Sequence, residues 1–211
     1  CLQLRCRLPL TILEGINVCS CGAAVDPEGD HILSCSHAGD RTPWHDGIQD
    51  VAVRMSKCAG FRVSHDSNRM YRPGYSPHWK PDFTCLHGSV AGTHLLVDVT
   101  TSSVVKESAM PAAAETPLIV ALAAEGEKRN KYGAVAPHVV LPFAVEHPGA
   151  LGKEAGSFFK RCAKQAGDRL GPAEQLRSTW SSSTFSSYFY QQLSMANARG
   201  TGHYFEQAAT K

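Results

Sequence analysis

The chain has no uncharged apolar stretch of about 18 residues, so no membrane-spanning helix is expected. No secretory signal pattern is visible. There is no GxGxxG fingerprint and no Walker-type phosphate loop, so nothing points to dinucleotide or P-loop chemistry. Internal repeats are absent, and the only biased tract is the Ser-rich run at 181–187. Net charge is also scarce: 21 Lys+Arg stand against 19 Asp+Glu, a formal +2 that neither requires nor excludes a nucleic-acid partner. The distribution of charge matters more than this sum. Disulfide density is low, since eight Cys in 211 residues do not make a stapled scaffold.

What is present is enough for a buried core. A length of 211 residues suits one domain with a small appended module. Hydrophobic content of 43% and charged content of 19% argue against disorder. The chain begins at Cys1 rather than Met, so it is expected to be a fragment, or the C-terminal part of a longer polypeptide.

Cys1, Cys6, Cys58, Cys85 and Cys162 are scattered and read as packing residues or surface thiols. Cys19, Cys21 and Cys35 cluster with His31, which favours a reducing compartment and a metal site. Zinc takes four borderline or soft ligands in a tetrahedron, and two ligand pairs across a turn can supply them. Gly22, Pro27 and Gly29 permit that turn. The expected Zn²⁺ site is therefore Cys19, Cys21, His31 and Cys35, with His37 as a second choice for His31 or Cys35. The plain alternative is a loop with free thiols.

Along the chain, 1–18 reads as a connecting segment, 19–40 as the Cys/His module, 41–170 as the core, and 171–211 as a C-terminal helix and tail. Trp44, Ile48, Val51 and Met55 repeat at helical spacing within 44–59, and Gly60 stops that helix. A short strand follows at 61–65 and a Pro/Gly loop at 69–79. Two strands at 80–86 and 93–101 are expected to form a hairpin. One helix is predicted over 112–132 with Gly133 as its stop, then a strand at 138–145 and a helix at 149–166. A last helix is expected at 183–198, with a loose tail from Gly200. The result is a mixed α/β order, α-β-β-β-α-β-α, behind a Cys/His module.

Two carboxylates stand out. Asp82 follows Lys80-Pro81, and Asp98 lies inside Leu95-Leu96-Val97-Asp98-Val99. An aspartate in such an apolar strand is costly unless it is paired or binds a cation. On a hairpin the two would approach each other, and Mg²⁺ or Mn²⁺ would relieve their repulsion and activate water. The plain readings are a Pro-Asp turn for Asp82 and a strand-end cap for Asp98. Lys128 and Lys131 are three apart and share a helical face downstream.

Between Arg54 and Lys80 the chain carries six basic residues against one acid, Asp66. Arg69, Arg72, Tyr75, Trp79 and Lys80 are candidate DNA contacts, because cations hold phosphates and aromatics stack on bases. Lys160, Arg161 and Lys164 form a second basic stretch. A solvated surface is the plain alternative for both.

These motifs occur in a telling order: Cys-x-Cys-Gly, Gly-Asp-His-x3-Cys, His45-Asp46, Pro81-Asp82, Val97-Asp98-Val99-Thr100, Lys128-x2-Lys131-Tyr132 and Pro142-Phe143-x2-Glu146. Over roughly residues 1–200 the series resembles the restriction-like endonuclease domain of the PD-(D/E)xK superfamily. That domain follows the reverse transcriptase in certain non-LTR retrotransposon polyproteins. The resemblance implies a restriction-endonuclease-like mixed sheet flanked by helices, with an N-terminal zinc knuckle. It implies a metal-dependent DNA endonuclease that nicks double-stranded target DNA to prime reverse transcription. It further implies nuclear location, and element RNA and an upstream reverse transcriptase domain as partners. Asp82 and Asp98 match the metal-binding acids. The lysine usually two residues after the second acid falls on Thr100, and the resemblance moves it to Lys131 or Lys128. Asp66 is the nearest match to an upstream acid. His45 and Asp46 match a His-Asn/Asp pair whose role stays open. Thr100 also leaves room for an inactive nucleic-acid-binding zinc module, or a purely structural domain of the polyprotein.

Overall fold

The structure is a computed structural model that describes residues 3, 6–65, 80–86, 93–133, 138–147, 149–178 and 182–210. After a 3₁₀ turn at Thr11–Leu13, the elements are α1 (Asp30–Ser34), α2 (Thr42–Cys58), β1 (Arg62–Ser64), β2 (Phe83–Leu86) and β3 (Leu95–Ser103). Then come α3 (Met110–Glu115), α4 (Ile119–Tyr132), β4 (Val139–His147), β5 (Ala150–Leu151), α5 (Lys153–Gln165), α6 (Pro172–Gln175) and α7 (Phe185–Ala209).

The five strands form one mixed sheet in the order β1-β2-β3-β4-β5. β1, β2 and β3 are antiparallel neighbours, as the hairpin expectation requires, with Phe83 opposite Val97. β3 and β4 run parallel, with Asp98 opposite Pro142, and α3 and α4 make the crossover. Alternation sorts the side chains by face. Leu95, Val97, Val99, Phe143 and Val145 join one core with α2, α5 and α7. Asp98 and Glu146 point to the other face, where α4 lies.

Local chemistry holds the helices in place. α2 buries Trp44, Ile48, Val51 and Met55, the predicted stripe. Gly60 ends the turn after it at φ +87°, where a side chain would be strained. The open N-terminus of α4 is served by Glu146, whose Oε1 accepts the Ala121 N–H at 2.8 Å. Glu125 of α4 in turn accepts the Glu154 N–H at 2.9 Å at the start of α5. Each helix start thus finds its acceptor on a neighbouring element.

Three expectations are corrected. The predicted helix over 112–132 is two helices, broken at Thr116–Leu118, because Pro117 supplies no N–H and Leu118 turns left-handed at φ +63°. The start of the predicted 149–166 helix is strand β5, which pairs Leu151 with Val145. The tail from Gly200 is not loose: α7 runs on to Ala209 and buries Gly200, Thr201, Tyr204 and Phe205. Its last turns join a second core with Leu10, Leu13, Cys19, Ile32, Leu33 and Ala38. Thus α7 packs on α2 with its first half and on the Cys/His module with its second. Among the described residues no helix is long and apolar enough to cross a membrane.

Candidate metal centre and carboxylate pocket

The Cys/His module brings its predicted ligands together. One donor atom each from Cys19, Cys21, His31 and Cys35 lies within 4.8 Å of all the others. Cys19 Sγ is 3.8 Å from Cys35 Sγ, and Cys21 Sγ is 3.3 Å from His31 Nε2. A zinc tetrahedron with Zn–S of about 2.3 Å has S···S edges of about 3.8 Å, so the donor set fits zinc in type, number and spacing. His37 stays outside this set, and its ring contacts Ser36 Oγ instead.

The local sequence builds that geometry. Gly22 N–H donates to the Cys19 carbonyl, closing the turn that carries the first ligand pair. Asp26 accepts the backbone N–H groups of Asp30 and His31 at 2.8 and 2.7 Å, which starts α1 and aims His31 inward. Burial by itself raises the Cys19 thiol, but hydrogen bonds from the Cys21 backbone and the His31 side chain outweigh it and bring it down to about 6. A thiolate at neutral pH is what a metal ligand requires.

The second assembly is an open pocket of about 390 Å³ at the junction of α2, β2, β3 and α4. Asp82 and Asp98 both line it, together with Lys80, Lys128, Lys131 and Thr100. Asp98 is mid-strand and only 3% exposed, so it is not a strand-end cap. Lys128 Nζ lies 2.6 Å from its Oδ1, Tyr132 donates to its Oδ2, and Lys131 Nζ is 3.9 Å away. Glu125, Lys128 and Tyr132 are spaced 3 and 4 apart, so α4 turns them all toward the sheet.

Asp82 is held from two sides. The Val99 N–H donates to its Oδ2 at 2.6 Å, and His45 Nε2 approaches the same oxygen at 3.3 Å. The other ring nitrogen of His45 is 3.0 Å from Asp46 Oδ1. The hydrogen bond to Asp82 outweighs burial and, with Asp46, raises His45 to about 9. His45 is therefore an imidazolium at neutral pH. With Arg41, Lys80, Lys128 and Lys131 it gives the pocket more positive than negative groups, a field that favours an anionic ligand.

Of the predicted site residues, Asp82, Asp98, Lys128, Lys131 and Lys80 meet in this pocket. Lys128 makes the tighter contact of the two lysines. Asp66, Arg69, Arg72, Tyr75 and Trp79 lie outside the described residues. Sequence reasoning missed Tyr132 as an Asp98 partner, although its position four residues after Lys128 signals a shared face. It also missed Arg41 and Thr42, which reach the pocket only through the placement of the start of α2.

No protein-family model, curated protein or solved structure matches the chain.

Proposed function

We propose that this chain is a metal-dependent DNA endonuclease of the restriction-like type, acting as the nuclease domain of a non-LTR retrotransposon polyprotein. On this reading it nicks duplex target DNA in the nucleus so that the freed 3′ end primes an upstream reverse transcriptase copying element RNA. The observation that carries the proposal is one pocket holding Asp82, Asp98 and Lys128, with Lys128 Nζ 2.6 Å from a carboxylate of only 3% exposure. The mixed five-stranded sheet with flanking helices supports it, as does the Cys/His module.

Asp82 and Asp98 offer hard oxygen donors and would hold Mg²⁺ or Mn²⁺ once a DNA phosphate offsets the pocket's excess of positive groups. Such an ion, when bound, lowers the pKa of water and neutralises charge on the attacked phosphate. The protein's own groups do the rest. The Val99 N–H and His45 fix the orientation of Asp82 through Oδ2. Tyr132 and Lys128 fix Asp98. Lys128 and Lys131 present ammonium groups to a phosphate entering the pocket, and Lys128 takes the role that Thr100 cannot.

Plasmid nicking with Mg²⁺ tests the reading. Wild type should nick, while Asp82→Ala and Asp98→Ala should not. If the wild type does no better than these variants, the second reading gains: an inactive nucleic-acid-binding zinc module, to which the uncharged Thr100 in the pocket points.

A further inference from the structure

A second cationic surface lies away from the pocket. α5 exposes Lys153, Ser157, Lys160 and Lys164, spaced 4, 3 and 4 apart, along one stripe. The opposite side of the helix buries Phe158, Phe159 and Cys162 in the core. Its single acid, Glu154, is engaged by Arg129 of α4. Beyond the helix, Asp168 is taken up by Ser186, whose N–H and Oγ donate to it at 2.8 and 2.7 Å. Among the described residues, Lys160 and Lys164 have no ion-pair partner.

The end of α2 extends this stripe. The turn at Gly60 meets α5 at Gln165, with Nε2 3.7 Å from where a Cβ would stand. The Arg161 guanidinium sits 5.3 Å over the Phe61 ring, and exposed Lys57 lies three residues before Gly60. No exposed large apolar side chain occurs on α5, so the surface lacks the apolar anchors of a membrane-binding helix. Cations without apolar anchors suit a phosphate backbone.

Geometry relates this surface to the pocket. α2 carries His45 at the pocket and Lys57 at its other end. Twelve helical residues at 1.5 Å each separate them by about 18 Å. Duplex DNA rises 3.4 Å per base pair, so the span is about five base pairs.

We propose that Lys57, Lys160, Arg161 and Lys164 form a second backbone-binding surface for duplex DNA, set about five base pairs along α2 from the pocket. Resting on the endonuclease reading for its substrate, the surface contributes affinity and register but no base specificity.

The test is binding of a fluorescent 20-base-pair duplex without added Mg²⁺, where cleavage is blocked and the Cys/His module keeps its metal, across a salt series. Lys57→Ala/Lys160→Ala/Lys164→Ala should flatten the slope of log K against log salt by about 2–3, at about 0.9 for each phosphate no longer neutralised. Binding at 0.1 M salt should weaken at least tenfold. The corresponding Lys→Arg triple should keep the wild-type slope. A slope in the Ala triple within 0.5 of wild type overturns the proposal. So does an unchanged DNA slope accompanied by loss of binding to phosphatidylserine vesicles, which assigns the surface to a membrane. Absence of nicking by the wild type counts against the endonuclease reading alone, because the salt slope is measured without cleavage.

Discussion

Gly200 of α7 rests directly on Trp44 of α2: a Cβ at position 200 would stand 2.6 Å from Trp44 Cα and 2.5 Å from its Cδ1. Backbone cannot yield as a flexible side chain can. Nearby, Trp44 Nε1 donates to Asn197 Oδ1 at 2.9 Å, so the two helices are locked at this level. The same close approach lets α7 continue past Gly200 to reach the Cys/His module.

Gly200→Ala should therefore destabilise the protein by about 1–3 kcal/mol, the usual cost of overpacking a filled core. Gly202 in the same helix has nothing within 4 Å of its notional Cβ. Gly202→Ala should be neutral or stabilising by up to about 1 kcal/mol through helix propensity. Thermal melts of the two variants check this pair. Equal melting temperatures would mean that the α2–α7 interface is looser than described.

On the proposed endonuclease reading, the two lysines of α4 should separate in a nicking assay. Lys128→Ala removes the ammonium 2.6 Å from Asp98 Oδ1, and the rate should fall by about 100-fold. Lys131 stands 3.9 Å from Asp98 Oδ2 and is more exposed, so Lys131→Ala should cost less than about tenfold. The reverse ranking would assign the proposed catalytic role to Lys131 instead. Tyr132→Phe leaves one oxygen of buried Asp98 without its hydroxyl donor and should lower stability by about 1–3 kcal/mol.

Much of this pocket is legible in the sequence, and the limits have physical causes. A lone carboxylate in Leu95–Val99 announces itself, because an apolar strand does not tolerate an unpaired charge. The Trp44–Met55 stripe likewise has one helical solution. Lys128 and Lys131 cannot be ranked from sequence, since residues three apart share a face and only the seating of α4 on the sheet decides between them. That seating depends on Glu146 and Glu125, which are remote in sequence from the helix starts they serve. The end of α7 is hidden for a similar reason. Gly200-Thr201-Gly202 reads as a helix stop by propensity, and burial against Trp44 and the cluster around Leu33 overrides it. Pro117 is a weak point within the predicted 112–132 helix, and the chain does break there.

His45 should give the protein without added Mg²⁺ a distinctive pH profile. Its folded-state pKa is raised from 6.5 to about 9, chiefly by the hydrogen bond to Asp82. A raised pKa means that the folded state binds the proton more tightly than the unfolded state. The stabilisation is therefore complete below about pH 6.5 and is lost as pH climbs through about 9. Melting temperature without added Mg²⁺ should fall across that window in wild type, and the fall should be shallower in His45→Ala. Parallel profiles for the two proteins would show that the His45–Asp82 pair is not maintained in solution.

Zinc should be a folding ligand for the N-terminal module. The cluster of Leu10, Leu13, Ile32, Leu33 and Ala38 is small, and it is completed by Tyr204 and Phe205 from α7. So small a core gains much of its stability from a bound metal, because ligands are assembled only in the folded state. Purified protein should carry about one zinc per chain, with four ligands closing the site as in structural centres. Cys19→Ser should lose that zinc and lower the melting temperature. Arg41 links the module to the pocket, donating to the Leu33 carbonyl at 2.7 Å while lining the carboxylate site. Zinc removal should therefore increase amide exchange first in residues 19–40 and the last turns of α7, and then at the start of α2. Elemental analysis combined with hydrogen exchange reads both effects. Zinc content near zero in the wild type, or exchange unchanged by chelation, would rule out the structural metal.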